Sequence, residues 1–510
     1  MTLKSDLEAN KDQEAATLLG LLLPKIIEYI EKSDPDSTKY EIDSLGKYHE
    51  PSSLKAEFLH ENMVDGIKGD QKELSEIIDK VLKYSVNTWN PGFLDKLYAS
   101  NNPIGLVSDL LLSVLNTNSH VYTVSPVLSV LENYIGRKYA ALFFEDNQDT
   151  CGGLTFPGGS WSNVTSLHIA RSIKFPDTKV KGNSGYNFAI YTSAHSHYSI
   201  EKAAILLGLG SSNVFKVSAL KDGRIDTYAL EQKIIETKSQ GYTPLYINAT
   251  AGTTVFGSFD PFEKIANIAK RYKTWLHVDG SWGGNVVFSE KHKQKLKGIK
   301  YADSITVNPH KMLGVPNTCS FLLLPHVLTF QKSMSLSAPY LFHGRENDDD
   351  DDVNENFDLA DGTMGCGRRA DSFKFYMTWL YYGSKGLAQR VDHAFDIGKY
   401  FVERISENHN FSLVFGSKDD LPPCLQVCFY YKPDAYEETD LTDVTRFISR
   451  ELHKKGKYLV DFSPPPWTEG SRGEFFRVVF NSPILSDRTI DNLIAEIVAS
   501  GKDYMKRDKS

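Results

Sequence analysis

Two stretches decide the fold, "HVDGSWGG" (His277 to Gly284) and "SITVNPHKML" (Ser304 to Leu313). Each follows the pattern of a short apolar strand that ends in polar residues. Because the carboxyl ends of strands in an open α/β sheet line the ligand crevice, we expect Asp279 and Lys311 to point into one pocket. A buried lysine amine loses proton affinity and can form a Schiff base with an aldehyde. A carboxylate on the neighbouring strand end suits the task of keeping a pyridinium nitrogen protonated.

The surrounding sequence alternates strands and helices. Short apolar runs such as "FAIYTS", "LYINAT", "TWLHVDG" and "SFLLLP" are separated by helical stretches such as Ser199 to Leu207 and Phe262 to Arg271. This alternation predicts an α/β fold with a mostly parallel central sheet. Later segments, "FFRVVFN" among them, predict a smaller α+β domain. We expect an N-terminal helical segment at 1–113, a large domain at 114–386 and a small C-terminal domain at 387–510.

The N-terminal segment carries apolar residues at four-residue steps, Leu18, Leu22, Ile26 and Ile30, which predicts one face of a helix. That face either packs within the chain or forms an exchanged arm in a dimer, and the sequence leaves both open. Further helices are expected around Glu73 to Tyr84 and Gly105 to Leu115. The acidic run Asp348 to Asp352 predicts a long solvated loop.

Composition narrows the function. The 510 residues are 41% hydrophobic, enough for a large core, and 57 Lys and Arg stand against 65 Asp and Glu for a formal charge of −8. Nucleic acid is therefore not an expected partner. The five cysteines are odd in number and scattered, which favours a reducing, cytoplasmic location, and neither a membrane anchor nor a metal site is expected.

Three further strand ends offer binding groups. "FPGGSWSN" places Gly158 and Gly159 before a predicted helix at Ser160 to Arg171, whose N-terminus suits a phosphate. "AHSHYSIEKA" offers two imidazoles, one of which could stack on an aromatic ring, and "TAGTTVFGSFDP" adds threonine hydroxyls. Together with Asp279 and Lys311, these groups predict a pocket for a phosphorylated aromatic aldehyde.

These motifs identify a resemblance. The order "NPGFLDKL", "FPGGSWSN", "SHYSI", "ATAGTTVFGSFDP", "HVDGSWGG", "NPHKMLGVP", "CGRRAD" and "FFRVVFNSP" resembles group II pyridoxal-phosphate-dependent amino acid decarboxylases, especially the animal glutamate and cysteine-sulfinate enzymes. The resemblance implies fold type I, pyridoxal 5'-phosphate as cofactor, an amino acid substrate and a homodimer.

The resemblance also implies residue roles. Lys311 matches the lysine that binds the cofactor aldehyde, Asp279 the partner of the pyridine nitrogen, and His197 the imidazole that stacks on the ring. Other matching positions are Gly159, Ser160, Asn308 and His310 around the phosphate, Thr254 near the ring hydroxyl, and Arg477 for the substrate α-carboxylate. An arginine fork suits a carboxylate because it donates two parallel hydrogen bonds.

The chain departs from the family pattern at three places. No Tyr lies between Leu341 and Phe375, where the family places a proton donor, so the donor is unassigned; His343 is one hypothesis and an exposed loop histidine the other. Asn90 and Lys96 replace a His and a Gln that help to read an acidic side chain. Lys96 either favours an acidic substrate or points to solvent. Gly280 and Ser281 replace two alanines beneath the ring.

The predicted reaction is decarboxylation of an acidic L-amino acid to the amine and carbon dioxide, with glutamate first, then cysteine sulfinate or aspartate. The missing Tyr keeps open an oxidative decarboxylating deaminase, and a decarboxylase of a non-acidic amino acid is another alternative. A non-enzymatic homologue is disfavoured because a binding module has no use for a Schiff-base lysine.

Overall fold

The computed structural model describes residues 11–58, 71–336, 356–467 and 470–507. These residues form two compact units. The smaller unit draws on Met1–Ser100, Glu403–Val414 and Phe429–Ser510, and the larger on Asn101–Val402 and Phe415–Cys428. The three-part division expected from the sequence stays a prediction.

The larger unit is built on a seven-stranded sheet. Its strands are β1 (Gly152–Phe156), β2 (Phe188–Ser193), β3 (Val214–Val217), β4 (Thr243–Thr250), β5 (Trp275–Gly280), β6 (Ser304–Val307) and β7 (Ser320–Leu324). Their order is β1-β7-β6-β5-β4-β2-β3, and only β7 runs antiparallel to its neighbours. The predicted α/β fold with a mostly parallel sheet is confirmed. Strands β2, β5, β6 and β7 are buried along their whole length, as expected for a sheet covered on both faces.

The helices of the structure lie where the spacing of apolar residues predicts them. The α-helices are α1 (Lys11–Glu31), α2 (Pro51–Phe58), α3 (Gln71–Tyr84), α4 (Pro103–Leu115), α5 (Pro126–Ala141), α6 (Gly159–Lys174), α7 (Thr178–Lys181), α8 (Ser199–Leu206), α9 (Thr227–Ser239), α10 (Phe262–Tyr272), α11 (Pro309–Met312), α12 (Thr329–Met334), α13 (Asp371–Ser406), α14 (Thr442–Lys454) and α15 (Asp487–Arg507). In α10, Phe262, Ile265, Ile268 and Ala269 are buried on one face. Helix α13 breaks at Gly383, whose φ of 64° lies in the left-handed region that favours glycine.

A second sheet has four antiparallel strands, and all of its residues except 426–428 belong to the smaller unit. Its strands are β8 (Phe411–Leu413), β9 (Gln426–Tyr431), β10 (Asp461–Ser463) and β11 (Phe475–Val479), in the order β10-β11-β9-β8. The backbone at Leu94 joins this region: its N–H donates to the carbonyl of Leu459 at 3.0 Å, and its carbonyl accepts from Val479 at 2.9 Å. These bonds bring the neighbouring Lys96 beside the β10–β11 pair.

Helix α1 confirms the predicted N-terminal helix. Leu22, Ile26 and Ile30 are half-buried, and α1 packs against α3 within the smaller unit, where Lys25 forms an ion pair with Asp79. Leu18, the first residue of the predicted stripe, is exposed. His343 and the Asp348 to Asp352 run lie outside the described residues. No helix in the described ranges combines the length and apolarity that a membrane span requires.

Candidate active site

The strand ends of the larger unit enclose a cavity of about 200 Å³, which we call the strand-end cavity. Its lining residues are Gly159, Ser160, Asn163, His197, Tyr198, Thr250, Gly252, Thr254, Asp279, Ser281, Trp282, Asn308, His310 and Lys311. Eight of the ten predicted site residues therefore meet in one place. Lys96 and Arg477, the other two, lie in the smaller unit. The individual roles of all ten stay predictions.

Lys311 lies on α11, directly after strand β6. Burial lowers the pKa of its amine, and the negative charge of Asp279 opposes this effect without overcoming it. A lysine with a lowered pKa holds more of the neutral amine, the form that attacks an aldehyde carbon. Lys311 therefore has the electrostatic setting of a nucleophile.

Asp279, near the end of strand β5, is buried and well hydrogen-bonded. Its Oδ1 accepts from the backbone N–H of Ser281 at 3.0 Å, and its Oδ2 accepts from Asn163 Nδ2 at 2.9 Å. Burial alone raises the pKa of this carboxyl, but attraction to the protonated form of His197 and the Ser281 hydrogen bond, with smaller contributions from the protonated forms of His277 and Lys311, lower the pKa overall. Asp279 is therefore held as a carboxylate and can stabilise a protonated ring nitrogen.

A directed chain of hydrogen bonds stands behind Asp279. Trp275 Nε1 donates to Ser304 Oγ at 2.8 Å, and that hydroxyl lies 2.8 Å from Nδ1 of His277. The Asp279 carboxylate can only accept, so the Asn163 amide presents Nδ2 to it and Oδ1 to Nε2 of His277, at 3.1 Å. His277 therefore carries its proton on Nε2, and its Nδ1 accepts from the Ser304 hydroxyl, which itself accepts from Trp275.

Sequence reasoning did not single out Asn163 or His277. His277 stands two residues before Asp279 on the same strand, so the two side chains share a face of the sheet. Asn163 stands four residues after Gly159, one helical turn into α6. Both spacings can be read from the sequence. The contact between Asn163 and His277 cannot, because it depends on how α6 packs against the sheet.

The two imidazoles after β2 differ in position. His197 lines the strand-end cavity, whereas His195 packs edge-on against Phe256 with 5.2 Å between ring centroids. Burial lowers the pKa of His197, although the charge of Asp279 opposes this. A neutral imidazole can lie flat on an aromatic ring, so His197 is the better placed of the two to stack.

The start of helix α6 in the cavity wall suits an anion. The helix begins at Gly159, after Gly158 with φ of 103°, and Gly159 and Ser160 of its first turn line the cavity. A Cβ on Gly159 would lie 2.6 Å from Ser281 Oγ and 2.9 Å from Asn308 Nδ2. The glycine is therefore needed for the close approach of three loops.

His310, another lining residue of the cavity, is neutral at physiological pH because burial lowers its pKa to about 4.

The cavity also contains an unused polar atom. Oδ1 of Asn308 is buried and has no hydrogen-bond partner among the residues that the structure describes. Such an atom is costly unless something fills the space beside it. The donor set matches a molecule with an aldehyde for Lys311, a ring nitrogen for Asp279 and a phosphate near Gly159, so pyridoxal phosphate fits the site.

The two predicted site residues of the smaller unit, Lys96 and Arg477, belong to a charge cluster that also contains Asp95 and Asp461. Oδ2 of Asp461 lies 2.5 Å from Nη2 of Arg477 and 3.3 Å from Nζ of Lys96. Lys96 is therefore held in an ion-pair network, although half of its side chain is exposed.

Asn90, which replaces a family histidine, has a structural task. Its Oδ1 accepts from the backbone of Gly92 at 2.7 Å, and its Nδ2 donates to Ser44 at 2.8 Å. Asn90 therefore holds the turn before Lys96.

A mostly parallel sheet with a lysine, a carboxylate and an imidazole at its strand ends defines a pyridoxal-phosphate-dependent enzyme of fold type I. The profile of the pyridoxal-dependent decarboxylase conserved domain matches residues 51–432, and the chain belongs to that family. It is therefore an amino acid decarboxylase that uses pyridoxal phosphate, as the motifs implied.

Relatives span nearly the whole chain. The L-aspartate decarboxylase dtxS4 of Metarhizium robertsii is 45% identical over 92% of this chain and 91% of its own length. The glutamate decarboxylase-like protein FG08083 of Gibberella zeae is 37% identical over 84% of this chain and 87% of its own. The crystal structure of mouse CSAD has a TM-score of 0.85 at 30% identity, covering 96% of this chain and all of that one.

Proposed function

We propose that the chain decarboxylates an acidic L-amino acid to the amine and carbon dioxide, with aspartate as its first substrate and glutamate and cysteine sulfinate next. The sequence motifs alone favoured glutamate. The change of order rests on the relative named L-aspartate decarboxylase, which is 45% identical over 92% of the chain.

The relative named L-aspartate decarboxylase is the observation that carries the acidic substrate, and the charge cluster offers the cations that would bind it. Lys96 and Arg477 approach the same oxygen of Asp461, at 3.3 Å and 2.5 Å, so two cations stand close together. Both are paired with resident carboxylates, so a substrate acid group would have to share or displace that pairing. Arg477 would receive the α-carboxylate, and Lys96 would favour a substrate with a second acid group.

Three residues of the strand-end cavity would serve the reaction directly. Lys311 would supply the neutral amine that binds the cofactor aldehyde. Asp279 would keep a proton on the ring nitrogen, and His197 would lie against the ring plane. The cofactor, when bound, supplies the electron sink that accepts the electron pair left by departing carbon dioxide.

The phosphate would be held by the start of α6. Backbone N–H groups at Gly159 and Ser160 and the positive end of the helix favour an anion there. Asn308 and His310 add polar side chains on the adjoining loop, and Thr254 lies in the same cavity for the ring hydroxyl. These residues would hold the phosphate end of the cofactor.

The test is carbon dioxide release from aspartate, glutamate, cysteine sulfinate, 2,4-diaminobutyrate and aromatic amino acids, with added pyridoxal phosphate and identification of the product. We expect amine from an acidic substrate, aspartate first. Lys311→Ala should abolish turnover and the visible absorbance of the bound cofactor. The matched control is Lys216→Ala, which removes an exposed lysine paired with Glu201 at 3.1 Å.

Other products would contradict the proposal. Turnover confined to aromatic or basic substrates would overturn the substrate class. Aldehyde and hydrogen peroxide formed in step with carbon dioxide would identify an oxidative reaction in place of simple decarboxylation.

We further propose a cytoplasmic homodimer, with the 1–113 segment contributing to the interface. Helix α4 buries Gly105, Ser108 and Leu112 on one face. Its other side exposes apolar residues, including Val107 at 57% and Val114 at 71%. Such a surface is typical of a subunit interface. All five cysteines are free thiols, which suits a reducing compartment.

A further inference from the structure

Asp461 stands directly opposite Arg477 in the β10–β11 register. Arg477 Nη2 donates to Asp461 Oδ2 at 2.5 Å and to the carbonyl of Asp95 at 3.0 Å. Arg477 is only 6% exposed. A guanidinium withdrawn from water needs a counter-charge, and Asp461 supplies one from within the chain.

The same Asp461 oxygen also contacts Lys96. Nζ of Lys96 lies 3.3 Å from Asp461 Oδ2 and 3.2 Å from the carboxylate of Asp95. Burial alone lowers the pKa of Lys96, but Asp95 and Asp461 together raise it. Burial, and then the charge of Asp461, raise the pKa of Asp95. The cluster therefore pairs two cations with two acid groups before any substrate arrives.

A substrate carboxylate that approaches Arg477 or Lys96 meets this resident carboxylate. Asp461 uses the hydrogen-bonding groups that an incoming acid group needs, and its negative charge repels that group over a few ångströms. This repulsion weakens binding most for molecules that bring two acid groups to Arg477 and Lys96.

We infer that Asp461 is a specificity-determining residue that competes with the substrate's acid groups for Arg477 and Lys96. The inference rests on the proposed function, in which those two cations receive an acidic substrate. Asp461 then lowers the affinity for dicarboxylates, and only a substrate whose second acid group binds Lys96 well overcomes this effect.

The competing explanation is structural, in which Asp461 only balances the buried charge of Arg477. The two explanations predict opposite signs. Loss of a competitor strengthens dicarboxylate binding, whereas loss of a needed counter-ion disorders Arg477 and weakens the binding of every carboxylate.

The experiment measures binding of succinate and butyrate by calorimetry on the cofactor-loaded enzyme, and KM and kcat for aspartate. Asp461→Asn keeps the side-chain shape and one acceptor oxygen. It should tighten succinate binding and lower KM for aspartate about 5- to 10-fold, the effect of removing one nearby charge. Butyrate, with one acid group, should change less.

Two variants serve as controls. Asp461→Glu keeps the charge and should bind succinate within about threefold of wild type, which also covers the case in which Asp461→Asn folds poorly. Glu474→Gln removes a carboxylate three positions before Arg477 that pairs with Arg446 at 2.7 Å, and it should leave succinate binding unchanged. An equal gain in Glu474→Gln would overturn the inference, because general charge would then explain the effect.

The double variant Asp461→Asn with Lys96→Met should lose most of the succinate gain, because the second acid group no longer has a cation to reach. Weaker binding of both succinate and butyrate to Asp461→Asn would contradict the inference and support the structural explanation. Failure of the proposed function gives a different result: wild type releases no carbon dioxide from any acidic amino acid, whatever succinate does in the calorimeter.

Discussion

Asn163 donates from Nδ2 to Oδ2 of Asp279 at 2.9 Å, and the opposite end of the same amide faces Nε2 of His277 at 3.1 Å. The carboxylate fixes which end of the amide it meets, because an amide turned over would place its oxygen against the oxygen of Asp279. His277, which does not line the strand-end cavity, is thereby held as the tautomer with its proton on Nε2.

We expect Asn163→Leu to weaken catalysis by about 10- to 100-fold, the value of a buried hydrogen bond to a charged group. Pyridoxal phosphate should also bind more weakly, because Asp279 would hold the ring nitrogen less firmly. The measurements are kcat/KM and cofactor affinity by equilibrium dialysis. Ser162→Ala is the control, since it removes a buried hydroxyl of the same helix that bonds to Ser320 instead. Equal losses in both variants would show that helix packing, and not the Asp279 contact, is responsible.

His277 should make the protein sensitive to acid. Burial is the main cause that lowers its pKa to about 4, against about 6.5 in the unfolded chain. The neutral, buried imidazole costs no stability above pH 6.5. As the pH falls from 6.5 towards 4, the unfolded chain binds a proton that the folded protein does not, and the free energy of unfolding decreases. The decrease is about 2 kcal/mol at pH 5.

His277→Gln removes the titrating group and retains both a donor and an acceptor. Wild type should lose more stability than this variant between pH 7.5 and pH 5, which urea unfolding at both pH values measures. His310 has a pKa lowered in the same direction and is common to both proteins, so it cancels from the comparison. Parallel pH profiles would contradict the assignment.

Gly159→Ala should impair cofactor binding by at least about tenfold. The added Cβ would lie 2.6 Å from Ser281 Oγ and 2.9 Å from Asn308 Nδ2, so the loops at the proposed phosphate end must separate. Gly367→Ala is the matched control, because no atom lies within 4 Å of a Cβ at that position. Normal cofactor affinity in Gly159→Ala would show that the phosphate does not bind beside this residue.

Val114→Glu should dissociate the proposed dimer by placing a charge on the exposed apolar side of α4. Light scattering coupled to size-exclusion chromatography measures the mass directly. Ile235→Glu is the control, since Ile235 is an exposed apolar residue of α9. A dimer that survives Val114→Glu unchanged would place the interface elsewhere.

The sequence predicted the parts of the fold that depend on local pattern. The run "FAIYTS" coincides with β2, and the helix expected around Glu73 to Tyr84 corresponds to α3, which ends at Tyr84. Lys311 and Asp279 were found because short apolar runs precede them and strand ends converge in an α/β sheet.

Asp461 could not be found in this way. It lies 365 positions from Lys96 and 16 from Arg477, and no spacing rule connects residues at such distances. Its partners are set by the strand register of β10 with β11 and by the backbone bonds at Leu94. The contacts of Asn163 likewise depend on how a helix packs on a sheet.

The division of labour between the two units has an evolutionary consequence. Every residue of the strand-end cavity belongs to the larger unit, whereas Lys96, Asp461 and Arg477 belong to the smaller one. If these three residues bind the substrate as proposed, mutations in the β10–β11 hairpin would change the preferred amino acid and leave the residues of the strand-end cavity unaltered. A lineage could then acquire a new substrate by small steps, with the cavity inherited intact at each one.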